Sequence, residues 1–119
     1  MATTMSNSQK IVYWGLAFLV LHTLLVARTV WFCYVHRREG QVELAWLLFF
    51  IVDFPSVPVA AWLLGITRIM NFLWELGYKL IGSGPNLTWG ILTGVIGGAQ
   101  WYFIGRWIGA AVIRLASRT

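Results

Sequence analysis

Three long apolar runs dominate the chain, at 11–35, 42–66 and 87–113. Each is about 25 residues, or roughly 37 Å as an α-helix, which is enough to cross the ~30 Å hydrocarbon core of a bilayer. Short polar stretches separate them. His36-Arg37-Arg38-Glu39-Gly40-Gln41 is the most hydrophilic piece and has the character of a loop between antiparallel helices. The stretch 81–86 has the composition of a turn, rich in glycine with a proline. Polar tails occupy 1–10 and 114–119. The pattern predicts an all-α integral membrane protein with three transmembrane helices.

Tryptophan spacing supports this register. Trp14 and Trp31, Trp46 and Trp62, and Trp89 and Trp107 lie near the ends of the three runs. Each pair is separated by about 24–27 Å along a helix, close to the distance between two interfacial aromatic belts.

The second run is interrupted at its centre by Asp53-Phe54-Pro55-Ser56-Val57-Pro58. Proline lacks an N–H and clashes with the preceding turn, so a regular helix cannot pass through unchanged. Two geometries fit. One is a single span kinked between Asp53 and Pro58. The other is two helical pieces, the second starting near Pro55 or Pro58 with Asp53 or Ser56 as its N-cap. The kinked span is preferred, because the first piece alone is too short to cross.

The stretch 67–80 carries Arg68, Glu75 and Lys79 on one helical face and apolar residues on the others. It predicts an interfacial amphipathic segment, which with the turn fills 67–86. The alternative is that the helix beginning near Pro58 continues out of the membrane.

Composition sharpens the class. Of 119 residues, 59% are hydrophobic and 11% charged, against roughly 25% charged in a soluble domain. A chain this small leaves much of its surface exposed, so lipid or other membrane subunits must cover the surplus. The net charge of +5 comes from dispersed residues, with Arg37-Arg38 the one adjacent pair of basic residues. No basic face with interleaved aromatics is present, which argues against a nucleic-acid partner. With three spans, Arg37, Arg38, Arg114 and Arg118 share one side, and Lys10, Arg68 and Lys79 the other. The positive-inside rule then predicts a bacterial-type inner membrane protein with its N-terminus outside and its C-terminus cytoplasmic. The N-terminus lacks the features of a cleaved signal and is expected to be an uncleaved anchor. The single cysteine, Cys33, allows no internal disulfide and no cysteine-based metal cluster.

Candidate chemistry is sparse. Asp53, Gln100 and His22 are the polar residues at mid-depth, one per span. A carboxylate inside a membrane is costly, so it marks an ion or proton site or a structural pair. Arg28 and Arg106 are its possible partners, and an Arg28–Asp53 tie between the first two spans is the specific expectation. His22 is a weak candidate for a cofactor ligand, because the other two spans offer no second histidine. Gly90, Gly94, Gly98, Gly105 and Gly109 fall on one helical face in small-xxx-small spacing, which marks a close helix contact. Gln100 lies on the opposite side, so the third helix is expected to meet protein on two sides. No nucleophile–base pair, phosphate loop or metal cluster is legible, and an enzyme is not expected. No cofactor is expected from this chain alone, whereas bound lipid is. The pattern therefore suggests a small accessory subunit of a larger membrane complex, packing through its glycine-lined third helix. The alternative is a small homo-oligomeric channel or transporter with a polar site around Asp53, His22 and Gln100.

Overall fold

The computed structural model describes residues 5–39, 42–65 and 68–118. Among them the chain is helical throughout, with no strand. Helix α1 (Asn7–Val35) is followed by a 3-10 turn (Val42–Trp46), α2 (Leu47–Val52), α3 (Ser56–Gly65), α4 (Ile69–Ile81), α5 (Gly84–Ile91), a π-helical segment (Leu92–Gly97) and α6 (Gly98–Ala116).

Helix α1 begins four residues earlier than the apolar pattern indicates. Ser6 is its N-cap, and Ser6 and Gln9 form a capping box. The Ser6 hydroxyl accepts from the Gln9 N–H at 3.3 Å, and the Ser6 N–H donates to the Gln9 Oε1 at 3.0 Å. Two otherwise orphaned donors are thereby satisfied, which carries the helix into the polar tail. At 29 residues α1 is long and apolar enough to cross a membrane, and among the described residues it is the one single helix that is.

Residues 84–116 form one helical path. Ile91, Leu92, Gly97 and Gly98 all keep right-handed helical dihedrals where α5, the π segment and α6 join. The expected turn at 81–86 shrinks to Gly82 and Ser83. Gly82 caps α4 in the left-handed conformation at φ 72°, which glycine adopts without strain. Ser83 caps α5 through the Asn86 N–H, and Pro85 sits in the first turn, where its missing N–H is harmless.

The 84–116 path packs antiparallel on α1 along its whole length, and glycines form the seam. A methyl group added at Gly109 would stand 2.6 Å from Trp14 Cβ, and one at Gly105 would stand 2.7 Å from the Trp14 carbonyl oxygen. Further along, Gly98 faces Leu19 and Gly90 faces Val30, each at 3.1 Å by the same measure. The Asn86 side-chain amide donates to the Val30 carbonyl at 3.1 Å. Close helix approach of this kind needs residues without side chains.

The second apolar run is sharply broken rather than mildly kinked. The pieces 44–52 and 56–65 are bent by 118° at the break. Pro55 and the restriction it places on Phe54 end α2, and α3 starts immediately afterwards at Ser56. The expected end of this run at Ile66 and the start of the amphipathic segment at Thr67 lie outside the described residues. Helix α4 begins at Ile69, and the junction that would decide whether it continues α3 lies outside the described residues. Helix α4 folds back on α5, where a methyl at Gly77 would stand 2.5 Å from the Ser83 carbonyl. Its C-terminal Gly82 lies beside Arg37, with Cβ-to-Cδ spacing of 3.8 Å. The 42–82 excursion therefore leaves from and returns to the same end of the bundle, the end marked by 36–39.

Two corrections follow. Both described ends of the chain lie at the opposite end of the bundle, because Trp14 meets Gly109 there, whereas three successive crossings would place them at opposite ends. Trp46 and Trp62 likewise do not mark two belts. Trp46 is 1% exposed and packs in the small core with Val26, Cys33 and Phe49.

Candidate functional site: a polar clasp at a broken helix

The break in the 42–82 excursion leaves backbone groups without helical partners. A helix that starts there presents its first four backbone donors without acceptors one turn back. The sequence removes two of them, since Pro55 and Pro58 have no N–H. The Ser56 N–H donates to the Gln100 Oε1 at 3.1 Å. The Val57 N–H donates to the Asp53 carbonyl at 3.1 Å. All four positions are accounted for. The same Gln100 amide donates through Nε2 to the Phe54 carbonyl at 3.1 Å. One glutamine thus satisfies a donor and an acceptor on either side of Pro55. The Ser56 hydroxyl adds a bond to the Asp53 carbonyl at 3.1 Å.

The Asp53 side chain is wholly buried, at 0% exposure, and it faces both long helices. Its Oδ1 lies 2.8 Å from the His22 Nε2 on α1 and accepts from the Trp101 indole N–H on α6 at 2.9 Å. An indole can only donate, so Oδ1 accepts from Trp101, and the same oxygen shares a proton with His22 Nε2. Phe18 stacks parallel to Trp101 at 6.0 Å and Phe49 meets His22 edge-on at 5.9 Å, which fixes both donor rings. Gly97 completes the cradle, because a methyl there would overlap the Asp53 carboxylate. Gly97, Gln100 and Trp101 lie at i, i+3 and i+4, one face of one helix. The π segment just before them admits an extra residue into the turn and so sets this face against the tip of the arm while the glycine stripe stays on α1.

Two polar atoms in the clasp have no hydrogen-bond partner, Asp53 Oδ2 and His22 Nδ1. Nδ1 points at the helix seam, 3.9 Å from where a Gly98 Cβ would stand.

The structure brings His22, Asp53 and Gln100 together and leaves the arginines out. Arg28 is exposed on α1 and lines a cleft against Ala45, Leu48 and Phe49. Arg106 lies along Gly15 with its guanidinium 5.8 Å over the Tyr102 ring. The expected Arg28–Asp53 tie is replaced by the His22–Asp53 bond, because the 118° turn presents the carboxylate to the middle of α1. His22 as a cofactor ligand is also corrected. One ring nitrogen is held by Asp53, the other is closed off by the seam, and the residue is 2% exposed, so no nitrogen is open to a macrocycle. The glycine stripe at Gly90, Gly94, Gly98, Gly105 and Gly109 meets α1 of the same chain. Gln100 meets the arm, so the two contacts of the third helix are both internal.

Trp101 and Gly97 were not among the sequence candidates. Their signal is positional, since both share a helical face with Gln100, the face expected to make the second protein contact. No group of three or more histidine, cysteine, aspartate or glutamate residues that could hold a metal occurs among the described residues. No protein-family model, curated protein or solved structure matches the chain.

Proposed function

We propose that this chain is a small membrane-embedded structural subunit, in which α1 and the 84–116 path cross the bilayer and the 42–82 arm dips to mid-depth and returns. The observation that carries this reading is the closure of the clasp. The polar residues at mid-bundle are occupied with one another and with the broken backbone, so they hold the arm in place rather than line a passage. Backbone breaks at membrane depth are tolerated where protein satisfies them, as Gln100 does here. The outer surface supports membrane burial, since Ile51, Trp62 and Trp107 are 77%, 69% and 74% exposed. Such a surface suits an accessory member of a larger membrane assembly. In this arrangement the termini share one face of the bilayer, in place of the expected N-out, C-in topology.

A second reading, a small homo-oligomeric transporter, is favoured by one observation. Asp53 Oδ2 and His22 Nδ1 are buried polar atoms without partners at a discontinuous helix, and discontinuous helices at mid-depth commonly hold ions or protons.

Mild detergent extraction from the native membrane followed by native mass analysis separates the two. Retention of a second membrane protein at fixed stoichiometry is the expected result, and tags on both termini should be cut together or not at all by protease added to sealed vesicles. A lone chain or a ring of itself, with liposome ion flux lost in Asp53→Asn, overturns the subunit reading in favour of the transporter.

A further inference from the structure

Two clefts on the outer face of the bundle join into one groove. The upper cleft, about 310 Å³, lies between α1 and the 44–52 piece and includes Arg28, Thr29, Phe32, Ala45 and Leu48. The lower cleft, about 240 Å³, is walled by Phe18, Leu21, His22 and Trp101. Leu25 and Val52 line both. The groove therefore starts beside Phe32 and Ala45 and runs to the level of the clasp. From Arg28 to Phe18 it follows about 15 Å of α1, passing the clasp at His22 about 9 Å below Arg28.

Its chemistry is graded along that length. The deep end is apolar, because the polar atoms of His22 and Trp101 that form bonds are turned inward to Asp53. The shallow end carries Arg28, which has no ion-pair or hydrogen-bond partner among the described residues. Thr29 beside it spends its hydroxyl on the Leu25 carbonyl at 2.9 Å. A cation whose long side chain can extend towards the headgroups, above an apolar channel, is complementary to one class of molecule, a chain-bearing anion.

We propose that this groove is a binding site for an anionic phospholipid, with one acyl chain lying between α1 and α2 down to Phe18 and Trp101 and the phosphate on Arg28. The inference rests on the membrane reading above. It extends that reading by giving the open seam between α1 and the arm a specific occupant. Arginine suits the role because it stays charged and donates in a fork that matches phosphate oxygens. The lipid would also cover Leu21, Leu25 and Leu48, which are 61%, 51% and 62% exposed. That places the ligand directly against the rings that hold Asp53, so an occupied groove supports the clasp from outside.

The test is native mass spectrometry of the full chain in mild detergent, titrated with phosphatidylglycerol or with phosphatidylcholine of the same acyl chains. Wild type should retain one phosphatidylglycerol with about a fivefold preference, the size expected for one basic residue near an anionic headgroup. Arg28→Gln should erase the preference. Leu25→Trp, a change at a half-exposed position that fills the groove, should lower retention of both lipids while circular dichroism shows unchanged helix content. Leu48→Trp repeats the blockade from the other wall. Equal retention of the two lipids by wild type, a preference that survives Arg28→Gln, or wild-type retention in both tryptophan variants overturns the proposal. So does displacement of the bound lipid by millimolar inorganic phosphate, or a photo-crosslinker at position 25 that captures a protein helix in the groove. Failure of the membrane reading itself looks different: the chain would leave native membranes in alkaline carbonate, whereas failure of the lipid proposal leaves it membrane-bound without lipid preference.

Discussion

The seam between α1 and the 84–116 path and the tip of the 42–82 arm solve opposite problems with the same helix. In the seam, apolar surfaces meet with side chains removed, so the gain is close packing and its failure mode is steric. At the tip, a broken backbone and a carboxylate enter an apolar interior, so the gain is satisfied polarity and its failure mode is an orphaned group. Both sets of contacts come from 84–116. Its glycines serve the seam, and Gly97, Gln100 and Trp101 serve the tip. The comparison teaches that the arm is not held by hydrophobic burial alone. At the break, Phe54 is 68% exposed and α2 buries one side chain, Phe49. Hydrogen bonds do there what interdigitation does along the seam.

The sharpest way to break this contrast is at Asp53. Asp53→Ala removes the acceptor shared by His22 and Trp101 and leaves both donors buried without a partner. Each buried group left without its partner costs about 1–3 kcal/mol, together a large share of the total stability of a small protein. Asp53→Asn keeps an oxygen that can accept both bonds, so it should retain more than half of what Asp53→Ala loses. Denaturant titration in a fixed detergent, followed by tryptophan fluorescence, measures both. Equal loss in the two variants, or none in either, would show that the clasp does not hold the arm.

Gln100→Leu tests the backbone half of the clasp. It preserves apolar volume and strands the Ser56 N–H and the Phe54 carbonyl, each worth about 1–3 kcal/mol when left unmet where lipid takes the place of water. The damage should be local. Hydrogen exchange should accelerate at Ser56 and Val57 and stay slow along α1. Uniform acceleration across the chain would mean that arm and seam unfold as one unit and that the division drawn between them is wrong.

How much of this was legible before the structure differs between the two regions for a physical reason. The seam is a periodic contact between two regular elements, and periodicity survives in sequence, so Gly90, Gly94, Gly98, Gly105 and Gly109 stand out as a face. The tip joins residues far apart in the chain, His22 to Asp53 to Trp101, and nothing local encodes that meeting. Asp53, His22 and Gln100 were recognisable one at a time, because a polar residue in an apolar run is conspicuous. Their partners were not: Arg28 has the right charge for Asp53 and the wrong place. The arm's return was hidden for a related reason. A run of 25 apolar residues has the same hydropathy whether it crosses or turns back. The information lay in the two prolines, which remove donors where a new helix must start and so favour a full break over a kink. The capping box at Ser6 and Gln9 is a local signal, and it was readable by the same rule that locates any helix start.

The smallest effect separates glycines that look alike in the stripe. At Gly105 an added methyl would meet backbone, the Trp14 carbonyl oxygen at 2.7 Å and Gly15 Cα at 3.0 Å. Backbone cannot rotate away, so Gly105→Ala must push the helices apart, and overpacking of this kind costs about 1–3 kcal/mol. At Gly94 the nearest atom to such a methyl is Val26 Cγ1 at 3.8 Å, an ordinary contact. There the substitution adds a little buried surface and removes the entropy that glycine loses on entering a helix, so Gly94→Ala should be neutral or stabilising by up to about 1 kcal/mol. Sequence pattern treats the two positions as equivalent members of one small-xxx-small face. If thermal midpoints of the two variants fall together, the stripe works as a diffuse small-residue surface. If Gly105→Ala falls and Gly94→Ala holds or rises, the seam is pinned near Trp14 and Gly15, at the end of the bundle away from the arm. In that case seam and clasp are separate points of attachment on one helix, and Gly105→Ala combined with Gln100→Leu should lose the sum of the two single losses.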